Sequence, residues 1–187
     1  MQSKLLIVPQ MDEQASVEWT TPEERSRAEG FAPLRRREYL AWRAVVRQEL
    51  GRDVVIEYNE VGAPVLANRD VQISVSHCKG WVAVVFSQQP CAVDIESLDR
   101  NFERVAAHYL TEQERMLSDD LRFLAVAWSA KETLYKYSGR EGLDLRENLH
   151  LSHIDWLSKS LVGSINNEPD LGISFEIDQN RVITYIY

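Results

Sequence analysis

The chain has 187 residues, of which 44% are hydrophobic and 27% charged, so it can form the hydrophobic core of one or two domains. With 21 Lys and Arg against 29 Asp and Glu, its net charge of −8 disfavours nucleic-acid binding through phosphate neutralisation. It has two cysteines and no apolar run near the roughly 18 residues of a membrane span, which argues against a disulfide scaffold and against a membrane protein.

The first half of the chain predicts a strand, two helices and three more strands. Residues 3–8 alternate weakly and lack the apolar length of a signal peptide, so we expect a strand in a soluble, cytoplasmic protein. Thr21-Pro22-Glu23-Glu24 is a capping box that predicts a helix start, and a longer helix is predicted from Leu34 to Leu50, where Gly51 ends it. The three strands are predicted at Val54–Tyr58, Val71–Val75 and Trp81–Ser87, the last two joined by the turn Cys78-Lys79-Gly80.

The second half repeats this order. A strand is predicted at Ala92–Glu96 and a long helix from Leu121 to about Ser138, with Asp119 or Asp120 as its cap and Gly139 as its end. Two short helices are predicted between them, near Phe102–His108 and Glu112–Leu117. The remaining strands are predicted near Leu149–Asp155, Ser160–Ile165, Gly172–Ile177 and Val182–Tyr187.

Part of the first half recurs in the second. Ile73-Ser74-Val75 and Val82 match Ile173-Ser174-Phe175 and Val182, which suggests a duplicated unit. We therefore expect an α+β fold of two similar halves, residues 1–90 and 91–187, that form one compact body. Clefts between packed units are common sites for small ligands, so we expect a ligand cleft between the halves.

Two carboxylates on the strand Ala92–Glu96 indicate a metal site. Asp94 and Glu96 lie two residues apart, so both side chains point to one face of the strand. Neighbouring carboxylates repel each other unless a cation lies between them, and Mg²⁺ prefers such oxygen ligands. The alternative is a strand end that carries two solvated acids.

The second group of candidate residues lies on the long helix, between Trp128 and Lys136. Its positions 128, 131, 132, 135 and 136 share one face, which combines an aromatic ring, two ammonium groups and a carboxylate. Glu132 is a candidate third metal ligand, and Lys131 and Lys136 are candidate phosphate contacts. The alternative is a surface ion pair between Glu132 and Lys136.

Three weaker features complete the set. His77 stands at a strand end beside Ser76 and can donate to a phosphate, although a histidine there is more often structural. Gly62-Ala63-Pro64 is a rigid turn that can pass close to a ligand. A metal site formed by His150, His153 and Asp155 would need helical spacing, whereas this segment alternates like a strand.

In this order, the motifs resemble those of the 4'-phosphopantetheinyl transferases, in particular the longer, pseudodimeric type that activates surfactin synthetase. The four matching segments are Gly62-Ala63-Pro64, Ser76-His77-Cys78, Ala92-Val93-Asp94-Ile95-Glu96 and Trp128 to Lys136. The resemblance implies a pseudodimer of two α/β-type halves, with the coenzyme A cleft between them and the metal site in the second. Ala63 departs from the family, which often has a basic residue there. Ala92 and Thr133 are small substitutes for the usual small residues.

The resemblance also implies the reaction. An enzyme of this family transfers 4'-phosphopantetheine from coenzyme A to a serine of an acyl- or peptidyl-carrier protein, in a Mg²⁺-dependent step that releases 3',5'-ADP. Asp94, Glu96 and Glu132 would then hold Mg²⁺, and Lys131 and Lys136 would contact the phosphates. The base that accepts the serine proton stays open among four candidates: Glu132, Glu114, Lys131 and a metal-bound water.

The remaining residues implied by the resemblance contact other parts of coenzyme A. Ser76, His77, Arg36 and Arg43 would lie near its 3'-phosphate, Gly62 and Pro64 near its adenine, and Trp128 belongs to the helix motif. Glu114 matches a family carboxylate, but it also completes the capping box Thr111–Glu114.

Two other functions use the same residues: a Mg²⁺-dependent phosphoester or nucleotide hydrolase, and a non-catalytic coenzyme A-binding module. We expect a monomer that binds neither nucleic acid nor membrane. Its carrier protein would dock on a local apolar patch or on the arginines Arg25, Arg27 and Arg35–Arg37.

Overall fold

The computed structural model describes residues 2–187, and the chain divides into two compact units. The first unit ends at Gln89 and the second is Pro90–Tyr187. Each unit contains an antiparallel sheet with one long helix packed against it, so the expected mixture of helices and sheets is confirmed. Among residues 2–187, no helix has the length and apolar character needed to cross a lipid bilayer.

The first unit has a three-stranded sheet, three helices and a separate two-stranded hairpin. Its elements are β1 (Lys4–Pro9), α1 (Glu13–Val17), α2 (Pro22–Glu29), α3 (Pro33–Leu50), β2 (Ile56–Tyr58), β3 (Pro64–Leu66), β4 (Gln72–Cys78) and β5 (Trp81–Ser87). The sheet order is β1-β5-β4, and β2 pairs with β3. The predicted turn after β4 is shorter than expected, because Cys78 is still paired with Trp81 in the ladder.

Local signals set the helices of this unit. Thr21 and Glu24 form the predicted capping box at the start of α2, with Pro22 in the first turn. The buried face of α3, which includes Trp42 and Val46, packs with Val84 of β5 in one hydrophobic core. Burial of this apolar face is the main stabilising contribution to such a helix.

The second unit has a five-stranded sheet and the longest helix after α3. Its elements are β6 (Ala92–Ser97), a 3₁₀ helix (Glu103–His108), α4 (Glu112–Arg115), α5 (Phe123–Ser138), β7 (Leu149–Asp155), β8 (Ser160–Ile165), β9 (Leu171–Ile177) and β10 (Arg181–Ile186). The sheet order is β6-β10-β9-β8-β7. Helix α5 packs across β6 and β10, and its Ala130 and Leu134 are fully buried.

The two ends of α5 compare differently with the sequence. Gly139 ends the helix in the left-handed conformation with φ +59°, as predicted. The predicted cap is wrong: α5 begins at Phe123, and the preceding Arg122 makes no side-chain cap hydrogen bond. The Asp120 carboxylate instead accepts hydrogen bonds from the backbone and the guanidinium of Arg122, so it is used before the helix starts.

The two units share a strand order. In each sheet the first strand pairs with the last, and the last pairs with the one before it, as β1-β5-β4 and as β6-β10-β9. The registers agree as well, since Val75 is opposite Val84 in one hairpin and Phe175 is opposite Thr184 in the other. These are the positions that the internal sequence match equates. The pseudodimeric arrangement of the halves stays a prediction.

Candidate active site

Strand β6 and helix α5 bring acidic and basic side chains together in the second unit. Asp94 is almost fully buried on β6, and Lys136 lies on α5, which packs against that strand. The Lys136 Nζ donates to Asp94 Oδ1 at 2.8 Å and to the Val93 carbonyl oxygen at 3.0 Å. Glu132 and Trp128 lie one and two turns earlier on the same stripe of the helix.

The second strand carboxylate, Glu96, is held by two donors. Its Oε1 accepts a hydrogen bond from Trp128 Nε1 at 2.7 Å and forms an ion pair with Arg100 at 3.0 Å. The Arg100 guanidinium in turn lies 4.1 Å from the centre of a Trp128 ring, a cation–π contact. The indole therefore fixes both the carboxylate and its counter-ion.

The three carboxylates lie within electrostatic reach of one another. Burial raises the pKa of Glu132, and the negative charge of Asp94 raises it further. Burial likewise raises the pKa of Glu96, and Asp94 and Glu132 add to this rise, while the hydrogen bond from Trp128 opposes it. A cluster of half-buried acids with such raised pKa values attracts cations.

The donor chemistry of this cluster fits Mg²⁺, which takes carboxylate oxygens together with water and substrate phosphates. Within residues 2–187, no group of three or more His, Cys, Asp or Glu side chains is already arranged as a metal site. Lys136 and Arg100 are the cations that contact Asp94 and Glu96 in this arrangement. The alternative set of His150, His153 and Asp155 lies on β7, which is a strand as expected.

Lys131 and Glu114 form a second charged group, away from solvent. The side chain of Lys131 is 0% exposed and that of Glu114 5%, and their closest N–O distance is 2.7 Å. Glu114 also accepts hydrogen bonds from the backbone amides of Thr111 and Leu151, both at 2.8 Å. Burial lowers the pKa of Lys131, and Glu114 counteracts this effect. The prediction that these two residues act directly on coenzyme A does not fit their burial.

Helix geometry explains the difference between the two lysines. Successive residues of an α-helix point about 100° apart, so Lys131 and Glu132 cannot lie on one narrow stripe. Lys136 is directed at β6, whereas Lys131 is directed at α4 and the start of β7. The single face predicted from the sequence is therefore divided between two neighbours.

In the first unit, Arg43 is buried by its own surroundings. Its guanidinium donates to the Tyr39 carbonyl oxygen at 3.0 Å and to the Tyr58 hydroxyl, and it lies 3.3 Å from the Glu24 carboxylate. Only 2% of the side chain is exposed, although it lines a pocket of about 440 Å³ together with both tyrosines. By contrast, Arg36 is a surface residue that pairs with Glu13 at 2.5 Å.

The other predicted residues of the first unit lie on β4 and in the β2–β3 hairpin. Ser76 is buried within β4, and the neighbouring His77 is partly exposed with its Nδ1 3.5 Å from Glu38. Gly62 is in the β2–β3 turn with φ +75°, a conformation that favours glycine, and Pro64 begins β3. The turn is therefore rigid, as predicted.

Comparison with known proteins agrees with the site in the second unit. The family model of the 4'-phosphopantetheinyl transferase superfamily matches residues 90–185. The chain belongs to this superfamily. The matched segment covers about half of the chain and contains Asp94, Glu96, Glu132 and Lys136. A search of curated proteins gives no significant match.

Membership of the phosphopantetheinyl transferase superfamily does not account for every residue at the site. The sequence analysis missed Arg100, which contacts both Glu96 and Trp128. It lies in the loop after β6, where no periodicity relates it to the strand or the helix. Its position four residues after Glu96 is the only available signal, and outside a helix that spacing has no fixed meaning.

Proposed function

We propose that the chain transfers the 4'-phosphopantetheine group of coenzyme A to a serine of an acyl- or peptidyl-carrier protein. The observation that carries this proposal is the cluster of Asp94, Glu96, Glu132 and Lys136 inside the segment that matches the superfamily. Three acids beside an ammonium group suit a substrate whose reacting part is a diphosphate. The longer, pseudodimeric and monomeric type of the family is part of this proposal.

Mg²⁺ is the cation that the three acids would hold. When bound, it neutralises the diphosphate and stabilises the oxygen on which negative charge develops. Asp94 and Glu132 approach from the strand and the helix, and their mutual repulsion in a partly buried pocket favours a shared cation. Glu96 is oriented by Trp128 and Arg100, which leaves its position defined before any ligand enters.

Lys136 is the residue that we assign to the phosphates. It is 28% exposed, and its flexible stem allows the ammonium group to leave Asp94 and reach a bound diphosphate. Lys131 lacks this freedom, because it is closed in against Glu114. We therefore assign Lys131 and Glu114 a positioning role: their ion pair fixes α5 relative to α4 and β7.

The transfer itself forms one bond and breaks one. The serine oxygen of the carrier protein bonds to the β-phosphorus of coenzyme A, and the bond from that phosphorus to 3',5'-ADP breaks. The serine proton must pass to a base, and Glu132 is favoured over Glu114 and Lys131 because it is only half-buried. Its raised pKa makes it a better proton acceptor than an ordinary glutamate.

Residues of the first unit would bind the rest of coenzyme A. The partly exposed His77, with Ser76 beside it, and the surface residue Arg36 are proposed for the 3'-phosphate. Gly62 and Pro64 are proposed for the adenine. Arg43 is a weaker candidate, because protein groups already accept the hydrogen bonds of its terminal nitrogens.

Mass spectrometry of the acceptor tests the proposal. An apo carrier protein is incubated with the chain, coenzyme A and Mg²⁺, and we expect its mass to increase by one phosphopantetheine group on the acceptor serine. A Mg²⁺-dependent hydrolase would release phosphate or nucleotide without this gain. A binding module would retain coenzyme A unchanged. Either of these results, across several apo carrier proteins, would contradict the proposal.

A further inference from the structure

Lys136 occupies the place of a cation among the carboxylates of the candidate site. Its Nζ lies 2.8 Å from Asp94 Oδ1 and 3.0 Å from the Val93 carbonyl oxygen. The Asp94 side chain is only 6% exposed, so water screens this ion pair weakly. The ammonium group is thus held by one full negative charge and by one backbone dipole, both on β6.

The second cation of the cluster is placed differently. Arg100 contacts Glu96 from the outer side, its side chain is 40% exposed, and it stacks on Trp128. It donates to the outermost acid, whereas Lys136 donates to the acid nearest the interior. A divalent cation that binds Asp94 therefore meets the charge of Lys136 first.

An ammonium group and a divalent cation compete for the same carboxylate oxygen. If Mg²⁺ coordinates Asp94, a lysine nitrogen 2.8 Å from that oxygen would lie within a few ångströms of the metal, and two positive charges so close repel strongly. The lysine must then move away. Its partial exposure gives it room to do so, and its next anionic partner would be the substrate diphosphate.

We propose that Lys136 is an internal counter-cation that stabilises the carboxylate cluster before the metal binds and is displaced from Asp94 when Mg²⁺ enters. This inference rests on the proposed function. It has two consequences. Mg²⁺ alone binds weakly, because the cluster is already partly neutralised. Entry of the metal also releases the lysine toward the phosphates, so the two cations reach the substrate together.

The test is Mg²⁺ binding without coenzyme A or carrier protein, measured by isothermal titration calorimetry and by the Mg²⁺-induced rise in melting temperature. Lys136→Met removes the competing charge and keeps the side-chain length. We expect its dissociation constant for Mg²⁺ to fall about tenfold, which corresponds to about 1.4 kcal/mol. Its melting temperature should rise more with Mg²⁺ than that of the wild type. Lys136→Arg, which keeps the charge, should resemble the wild type.

The possible results are separable. Equal or weaker Mg²⁺ binding by Lys136→Met, or no Mg²⁺ binding by either protein, overturns the inference. A variant that folds only when Mg²⁺ is present supports it, and Lys136→Gln, which retains a donor for Val93, provides a second neutral variant. Because neither readout involves transfer, a chain that transfers phosphopantetheine but binds Mg²⁺ equally in all variants would contradict this inference alone.

Discussion

Replacing Lys131 with methionine removes the cation from the buried ion pair with Glu114. The carboxylate would keep its two backbone donors, from Thr111 and Leu151, but lose its counter-charge in a place where only 5% of it is exposed. Breaking a buried ion pair from one side costs about 3–5 kcal/mol. We expect the free energy of unfolding of Lys131→Met to fall by that amount.

A neighbouring surface pair provides the control. Arg115 follows Glu114 on α4 and pairs with Glu103 at 2.6 Å, but both side chains are well exposed. Surface pairs contribute about 0–1 kcal/mol, so Arg115→Met should change the free energy of unfolding by less than 1 kcal/mol. The two variants thus differ in burial rather than in the length of the ion pair.

Urea denaturation at neutral pH measures both variants, and a double variant completes the test. Lys131→Met combined with Glu114→Leu removes both charges, so it should be more stable than the sum of the single losses predicts. If Lys131→Met loses less than 1 kcal/mol yet abolishes phosphopantetheine transfer, the lysine acts on substrate and the positioning role is refuted.

Three further predictions concern packing, charge and thiol reactivity. Gly163→Ala should cost about 1–3 kcal/mol in urea denaturation, because the added Cβ would lie 2.9 Å from a backbone oxygen of β7, whereas Gly172→Ala on β9 meets nothing within 4 Å and should be near neutral. Glu24→Gln should cost about 3 kcal/mol, because the carboxylate holds both terminal nitrogens of the buried Arg47; a loss as small as for a surface pair would contradict this. Burial raises the pKa of Cys91 from 9.0 to about 11, so with the other cysteine replaced by serine, alkylation at pH 8 should be about 100-fold slower in the folded than in the urea-unfolded chain and should accelerate as the pH rises toward 11. Equal rates would show that the thiol is not buried.

The sequence predicted those elements whose signals are local and repeated. The capping box at Thr21 and the apolar period of α3 determine their helices without distant contacts, and both helices are found close to where they were expected. The five-residue helix α1 and the three-residue strand β3 were missed, because neither is long enough to show a period. Such short elements depend on what packs against them.

The candidate site follows the same division. Period two placed Asp94 and Glu96 on one side of β6, and the helical period gave the stripe that carries Glu132 and Lys136. The sequence could not say which neighbour each stripe of α5 would contact, so Lys131 was grouped with Lys136 although it pairs with Glu114.

The central claim is that the carboxylate cluster of β6 and α5 carries phosphopantetheine transfer, and Asp94→Asn tests it most directly. The variant changes one oxygen of the cluster to nitrogen, and circular dichroism would verify that it stays folded. Apo carrier protein is incubated with coenzyme A and Mg²⁺ and weighed by mass spectrometry. We predict one added phosphopantetheine with the wild type and no mass gain with Asp94→Asn. Equal gain with both proteins would contradict the account.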